Sequence, residues 1–302
     1  VPRLWSDAWS QALYGPDGFF VRERPLDHFR TSVANPLFAR AVRELADRVD
    51  RALGRPDPFD LVDVGAGGGE LLADWRDVPL RWRLHAVDVD PAGGFAEIPV
   101  LTGLLVANEW LDAVPLDVVV AGRLVEVSPI GHESPGPPSS STWPARWWPV
   151  APGSSERVED GSTRDAAWLH AVSRVRGGLA VAIDYGHLRT TRRATLTGYR
   201  AGRQVPAVPD GTCDLTAHVA LDACAAATGA RLMTQREALL SLGVSAALPG
   251  PGPGQAERLQ RASQAAELLD PAGLGAFGWL VQAVGVPDDL LGPATHPGSR
   301  DG

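Results

Sequence analysis

The stretch LVDVGAGGGELL, residues 61–72, limits what this chain can fold into more than any other. Leu61-Val62-Asp63-Val64 reads as a short strand buried on both faces, as in a parallel sheet. Gly65-Ala66-Gly67-Gly68-Gly69 then breaks it, and Glu70-Leu71-Leu72-Ala73-Asp74-Trp75 predicts a helix. Strand, glycine turn and helix in succession make the first half of a nucleotide-binding βαβ unit. Glycine serves there because the backbone turns sharply, in part at positive φ, and a ligand must approach without meeting a Cβ.

The glycine spacing narrows the ligand. A dinucleotide fingerprint G-x-G-x-x-G fits Gly65 and Gly67 but needs a third glycine where Glu70 stands. A carboxylate at a helix N-terminus repels a pyrophosphate, which disfavours NAD, FAD and ATP, and with them a dehydrogenase. Walker spacing is absent, and all 28 basic residues are arginine, so no lysine is present to serve it. What remains is Asp63-x-Gly65-x-Gly67-x-Gly69, an acid inside the strand followed by alternate glycines. That suits a ligand with a cationic amine and no phosphate, which is the chemistry of S-adenosylmethionine.

The rest of the chain supplies a Rossmann-like α/β pattern around this unit. Trp5 to Tyr14 has apolar residues at helical spacing and stops at Gly15-Pro16. Asn35-Pro36 places a cap and a first-turn proline ahead of a second apolar helix face running from Leu37 to Leu53. The second strand is predicted at 83–88. It ends in Asp88, about 20 residues past the glycines, where an acid binds ribose hydroxyls; a solvated turn residue is the plainer reading. Leu104-Leu105-Val106-Ala107 forms a third strand, followed by Asn108-Glu109-Trp110-Leu111-Asp112 just past its carboxyl end. Asn108 is placed to reach the cofactor. Glu109 and Asp112, three apart, fall on one side of a single helical turn that Pro115 stops.

A hairpin is predicted around Gly122-Arg123 within 118–127. Residues 130–161 shift to proline, serine, glycine and tryptophan, so part of the stretch is expected to be a mobile loop, while Trp143, Trp147 and Trp148, too apolar for water, cover the core or line a pocket. A helix from Ser162 or Thr163 ends at Gly177-Gly178, before a strand at 179–184 that leads into Asp184-Tyr185-Gly186. An arginine-rich polar connection comes next, with charge suited to an acidic partner or merely to solvent. Asp214 to Val219 reads as a cap into an alanine-rich helix ending at Gly229. Arg231–Gln235 is a candidate strand. A helix, a turn at 271–273 and a final strand near 277–284 complete the pattern, and the tail after Val286 is expected to fray.

The motifs together resemble the MidA-like S-adenosylmethionine-dependent methyltransferases, relatives of a mitochondrial complex I assembly factor that methylates an arginine. The similarity runs from about Leu13 to Gly285 through FRTSVANPLFARAV, VDVGAGGGELL, ANEWLDAVP, GGLAVAIDYGH, TLTGYRAG and DLTAHV. ANEWLDAVP, IDYGH and DLTAHV, in this order, are far more specific than the glycine run. The resemblance implies a Rossmann-like class I methyltransferase domain, an α/β sheet with helices on both faces. Asp63, Gly65, Ala66, Gly67, Gly69, Asp88 and Asn108 would hold the cofactor, and Glu109 and Asp112 would be catalytic. Asp184, Tyr185 and His218 are substrate-side candidates, with Asp214 in the same motif as His218. Two departures stand out. Residues 134–161 match the family poorly, and Trp110 stands where relatives more often carry phenylalanine.

The expected organisation is an N-terminal helical segment over 1–54 packing on the core, a methyltransferase domain over 55–286 with insertions at about 116–161 and 187–215, and a flexible tail over 287–302. The expected reaction is methyl transfer to nitrogen, with arginine of a partner protein as acceptor. A cofactor-binding assembly factor with little turnover and a small-molecule methyltransferase with a tryptophan-walled pocket are the alternatives. A net charge of −8 disfavours nucleic acid as a partner. No apolar run spans a bilayer and no signal pattern opens the sequence, so a membrane role is not expected and a cytoplasmic location is. Cys213 and Cys224 lack metal or redox spacing, and no metal site is expected.

Overall fold

A computed structural model describes residues 1–23, 31–73, 75–88, 96–248 and 254–292. The central sheet is built from β1 (Phe59–Val64), β2 (Trp82–Val87), β3 (Leu101–Asn108), β4 (Val175–Asp184), β5 (Arg231–Thr234) and β6 (Gly278–Val284). Their order across the sheet is β5-β6-β4-β3-β1-β2. β2, β1, β3 and β4 run parallel, whereas β6 is antiparallel to both β4 and β5. This is the Rossmann-like α/β sheet with helices on both faces.

Burial on both faces explains the unbroken apolar strands. Along β3, Leu104 and Val106 join one core cluster, while Leu105 and Ala107 join the other. The first cluster packs beneath α2 (Pro36–Ala52), α5 (Gln235–Ser241) and α6 (Gln255–Leu269); the second packs beneath α3 (Ser162–Ser173) and α4 (Leu221–Thr228). α2 starts as its sequence predicts, with the Asn35 side chain accepting from Leu37 N at 3.1 Å and Pro36 in the first turn.

A second, five-stranded antiparallel sheet takes Arg3–Leu4, Asp117–Val120, Arg123–Val127, Glu133–Pro138 and Val158–Asp160. α1 (Trp5–Tyr14) buries Trp5, Trp9 and Leu13 against this layer, with Leu116, Val118, Val125, Val127 and Leu215. Residues 1–54 are thus shared out: α1 covers the second sheet and α2 the central one. Cys213 and Cys224 are both buried free thiols.

Several expectations need correction. No helix follows the glycine turn among the described residues of 65–81; short turns close instead, by Gly69 N to Ala66 O, Leu72 N to Gly69 O and Ala73 N to Glu70 O. Leu71 and Trp75 are buried, but Pro79 and the start of β2 at Trp82 leave little chain for helical turns. Gly177 and Gly178 do not stop α3; they lie inside β4, where a Cβ on Gly178 would collide with Gly103 O. The proline-rich insertion is not a bare loop, because its edge strand tolerates proline where no ladder donor is needed. The arginine-rich connection folds as a three-stranded antiparallel sheet of Thr197–Arg200, Arg203–Val205 and Asp214–Thr216. Asp214 is therefore a strand residue, and α4 begins seven positions later without a side-chain cap. The tail beyond residue 292 lies outside the described residues. Among the described residues no helix is long and apolar enough to cross a membrane.

Candidate active site

Parallel strands β1 and β3 end side by side, and the turns that leave their carboxyl ends meet in one crevice. Asp63, Gly65, Ala66, Gly67, Glu70 and Leu71 come from β1 and its turn. Asn108, Glu109, Asp112 and Ala113 come from the end of β3, and Phe20, Thr31, Val33 and Asp214 complete the wall. The free space is about 70 Å³, well below the roughly 300 Å³ of a small-molecule site, so admitting a nucleoside requires these walls to part. Larger grooves, of about 460 Å³ beside Arg3 and Pro209 and about 870 Å³ beside Trp143 and Trp147, lie away from this sheet edge.

The glycine turn is shaped for close approach. Gly65, Gly67 and Gly69 have φ of 74°, 56° and 82°, and a Cβ on Gly65 would sit 3.0 Å from Trp110. The amides that would cradle a phosphate are already used. Gly67 N–H donates to the Asp88 carboxylate and Gly68 N–H to Glu70 Oε2 at 2.9 Å. An anion meets two carboxylates here rather than two free donors, in keeping with the exclusion of dinucleotides drawn from Glu70. Asp88 thus stands behind the turn, bonded to it; neither it nor Gly69 contributes to the pocket wall.

The crevice is instead rich in acceptors. Asp63, 3% exposed, has its carboxyl pushed up to about 7 by burial, with Asp88 and Glu70 adding repulsion. Buried Asn108 Oδ1, Asp112 Oδ1 and Asp214 Oδ1 have no hydrogen-bond partner among the described residues. Three orphaned acceptors and an uncharged-leaning acid fit a ligand that brings donors and positive charge. Residues of this kind match an aminoacyl sulfonium nucleoside and match no polyphosphate.

Glu109 occupies a left-handed backbone position, φ 51°, at the end of β3. A non-glycine residue held there marks local strain that surrounding contacts must maintain. Its N–H donates to Ile183 O at 2.8 Å, and its Oε1 accepts from Ser32 N and Asn108 Nδ2, each at 3.1 Å. Burial lifts its carboxyl to about 7, with the Asp112 charge adding to the rise and both hydrogen bonds opposing it.

A second pocket, about 320 Å³, is walled by Glu109, Tyr185, Tyr199, Asp214, Thr216, His218 and Phe277. Glu109 and Asp214 line both spaces. Tyr185 packs against the Phe277 ring at 5.5 Å and the His218 ring at 5.3 Å. Burial raises the Asp214 carboxyl well above its ordinary range, with Asp112 and Glu109 adding to it, and lowers the His218 imidazole, with Arg193 adding to that.

Asp112 is committed differently from Glu109. It lies in a short turn, Leu111–Ala113, and its Oδ2 accepts from the Tyr185 hydroxyl and from Thr216 Oγ1 at 2.7 Å. Its own N–H donates to Asp184 Oδ2 at 3.1 Å, so Asp184, 1% exposed, lies beneath the turn and lines neither pocket. Burial drives the Asp184 carboxyl far upward, with the Asp112 and Glu109 charges reinforcing it. The single-turn expectation for Glu109 and Asp112 holds only in part: both reach the crevice, but Asp112 turns to Tyr185 and Thr216.

Arg164 escaped the sequence reading altogether. It is 1% exposed and donates to Val114 O at 3.0 Å, Ala217 O at 2.7 Å, His218 O at 3.1 Å and Asp112 O at 2.5 Å. One guanidinium thereby ties the turn after β3 to the segment carrying His218. An arginine in the first turn of α3 opposes the helix dipole, and that misfit is the signal that marks it. Tyr199 and Phe277, neighbours only in space, carry no such mark.

The fold recurs in solved structures. A superfamily member and "likely methyl transferase" from Burkholderia thailandensis, bound to S-adenosyl-homocysteine, is 22% identical with a TM-score of 0.77, covering 95% of this chain and 89% of that one. An uncharacterized protein of the same superfamily and organism is 20% identical with a TM-score of 0.77, covering 96% and 89%. Comparison with curated proteins finds no match. Residues 76–237 match the family described as "Putative S-adenosyl-L-methionine-dependent methyltransferase", a span that starts after the glycine turn and takes in Asp88, Glu109, Asp112, Tyr185 and His218. That span exceeds half of the chain, and the protein therefore belongs to this family of S-adenosyl-L-methionine-dependent methyltransferases.

Proposed function

We propose that the protein transfers a methyl group from S-adenosylmethionine to a guanidinium nitrogen of an arginine in a partner protein. One observation carries the reading: a donor crevice and an aromatic acceptor pocket share Glu109 and Asp214 as their common wall. A flat cation entering between Tyr185, Tyr199 and Phe277 meets ring faces and then two carboxylates, the pairing that suits a guanidinium. The motifs ANEWLDAVP, IDYGH and DLTAHV, in that order, support a place among the MidA-like enzymes.

When bound, S-adenosylmethionine supplies an activated methyl group whose transfer leaves S-adenosylhomocysteine. The glycine turn and Asp63 would receive the donor's cationic end and Asn108 its polar groups, while Asp88, bonded to Gly67 N–H, would hold the turn in shape. Glu109 and Asp214 would orient one guanidinium nitrogen toward the crevice and offset its charge. The acceptor nitrogen loses one proton as it gains the methyl group, and a carboxylate of this pair is placed to receive it. Asp112 would act by holding Tyr185 and Thr216 in the pocket wall.

Trp143, Trp147 and Trp148 line neither pocket that Glu109 shares. Trp143 and Trp148 are buried in a cluster with Val119, Val158, Ala220 and Ala223, with their indole N–H groups donating to Asp165 and Glu156. Glu109→Gln keeps the bond-accepting oxygen and removes the charge. Calorimetry of the variant is expected to show donor affinity within a few-fold of the parent, while labelled-methyl transfer falls about 10- to 100-fold, the worth of one charged hydrogen bond. Undiminished transfer with donor binding intact contradicts the role of Glu109.

A further inference from the structure

A buried hydrogen-bond chain runs from the central sheet to Glu109. Trp279 on β6 donates its indole Nε1–H to Gln235 Oε1 at 3.4 Å. The Ser32 hydroxyl donates to the same Oε1 and accepts from Gln235 Nε2, both at 3.3 Å. Ser32 N–H then donates to Glu109 Oε1 at 3.1 Å. Ser32, Gln235 and Trp279 are each 0% exposed. Gln235 also reaches the second pocket, because its own N–H donates at 2.7 Å to the carbonyl of Phe277, a wall residue. A fully buried amide costs free energy unless its hydrogen bonds are used. Helix capping does not use this one: Thr234 caps α5 and closes a capping box with Glu237.

The segment that Gln235 grips supplies the use. Thr31 and Val33 line the crevice beside the glycine turn, while Ser32 between them turns its hydroxyl to Gln235 and its amide to Glu109. Ser32 opens a single 3-10 turn, Ser32–Ala34, whose far end is tied down by Asn35 Nδ2 donating to Gln264 O at 2.9 Å. The Gln235 bonds fix its near end. Asn108, the other donor to Glu109, is its neighbour in sequence and moves with it, so Ser32 is the donor that ties the carboxylate to a separate element. We propose that Gln235 is a positioning residue of the site: by holding the Ser32 hydroxyl it keeps the Ser32 N–H on Glu109, and so sets where the carboxylate shared by the two pockets stands. This rests on the role given to Glu109 above. A carboxylate that orients a guanidinium nitrogen must itself be held to a fraction of an ångström. The Ser32 bond also favours the charged form of Glu109 against its burial. Around that carboxyl stand Asp112 on the same turn, with Arg164 on its carbonyl, Asp184 on β4 and Asp214 on the small sheet. Asp63 and Glu70 line the crevice with it, and Tyr185, Tyr199 and His218 line the second pocket.

Carbon-13 NMR of the full chain labelled at its glutamate carboxyls reads Glu109 without requiring turnover, with Glu109→Gln identifying its resonance. Gln235→Leu removes the grip, and the milder Ser32→Ala removes the hydroxyl while keeping the N–H. Thermal melting shows which variants fold; should Gln235→Leu not fold, Ser32→Ala decides alone. Glu109 is expected to titrate about one pH unit higher in each, the worth of one weakened charged hydrogen bond. The double variant should shift it no further, because both substitutions act on one link. Labelled-methyl transfer into a protein extract should fall about 10-fold, and the acid limb of its pH profile should move upward with the titration. An unchanged titration in the folded variants overturns the proposal and leaves Gln235 as the partner of Trp279 alone. Shifts that add in the double variant overturn the path through Ser32. A raised titration with no label on arginine leaves the positioning standing and refutes the guanidinium reading. Transfer to arginine that is lost with Glu109→Gln but unaltered in both variants does the reverse.

Discussion

Glu109 shows how one residue serves both pockets. Its left-handed backbone turns the side chain out of the β3 direction, and Ser32 and Asn108 hold the carboxylate at the wall that the two pockets share. The same enclosure has a pH signature. Its carboxyl sits at about 7 against an ordinary 4.5, so the protonated form is favoured by folding. A raised pKa stabilises fully below the unfolded value and loses that contribution as pH rises through the folded one. Glu109→Gln never ionises and is expected to gain on the parent between pH 4.5 and 7, then to level off. The full difference is worth about 3 kcal/mol, reduced to about 2 kcal/mol because Glu109 is half-buried and borders two pockets. Urea unfolding of both proteins across this range measures it, and a pH-independent gap between them would contradict the enclosure. Residues that line one crevice were legible where they are sequence neighbours, as in Asp63 to Gly67 and Asn108 to Asp112. Tyr199 and Phe277 were not legible, and Asp214 entered only through its motif, because separate elements bring them to Glu109 only in the folded chain.

At the scale of elements, the strands were readable because burial on both faces leaves continuous apolar runs, and α2 was readable from its Asn35-Pro36 start. Errors arose where glycine was taken only as punctuation. Gly178 has φ of 126° and opposes Gly103 across the β3–β4 pair, so each glycine serves close backbone approach inside the sheet. Gly178→Ala places a methyl group against Gly103 O and is expected to cost at least ~3 kcal/mol from strain and overpacking together. A chemical-denaturation midpoint close to the parent's would show that these strands can separate. The glycine turn misled in the other sense. A helix normally comes after it, but here carboxylates of Asp88 and Glu70 take its free amides and the chain closes short turns toward β2.

Across the whole molecule, two layers meet at the site. The central sheet contributes the crevice beside the glycine turn, and the small sheet carrying Tyr199 and Asp214 contributes a wall of the second pocket. Arg164 joins them by bonding both to the turn after β3 and to the segment before α4. The composition shift at 130–161 announced an insertion but not its architecture, since its strands pair with Asp117–Val120 and Arg123–Val127, and the latter also takes Arg3–Leu4 from the N-terminal side. The central claim is that the donated methyl group ends on an arginine nitrogen held by Glu109 and Asp214. Its most direct test incubates the protein with a protein extract and isotopically labelled S-adenosylmethionine, then locates the label by mass spectrometry of the digested products. The account predicts label on arginine side chains, reduced about 10-fold or more with Glu109→Gln. Label on another residue type, on small molecules alone, or at equal levels with the variant would contradict it.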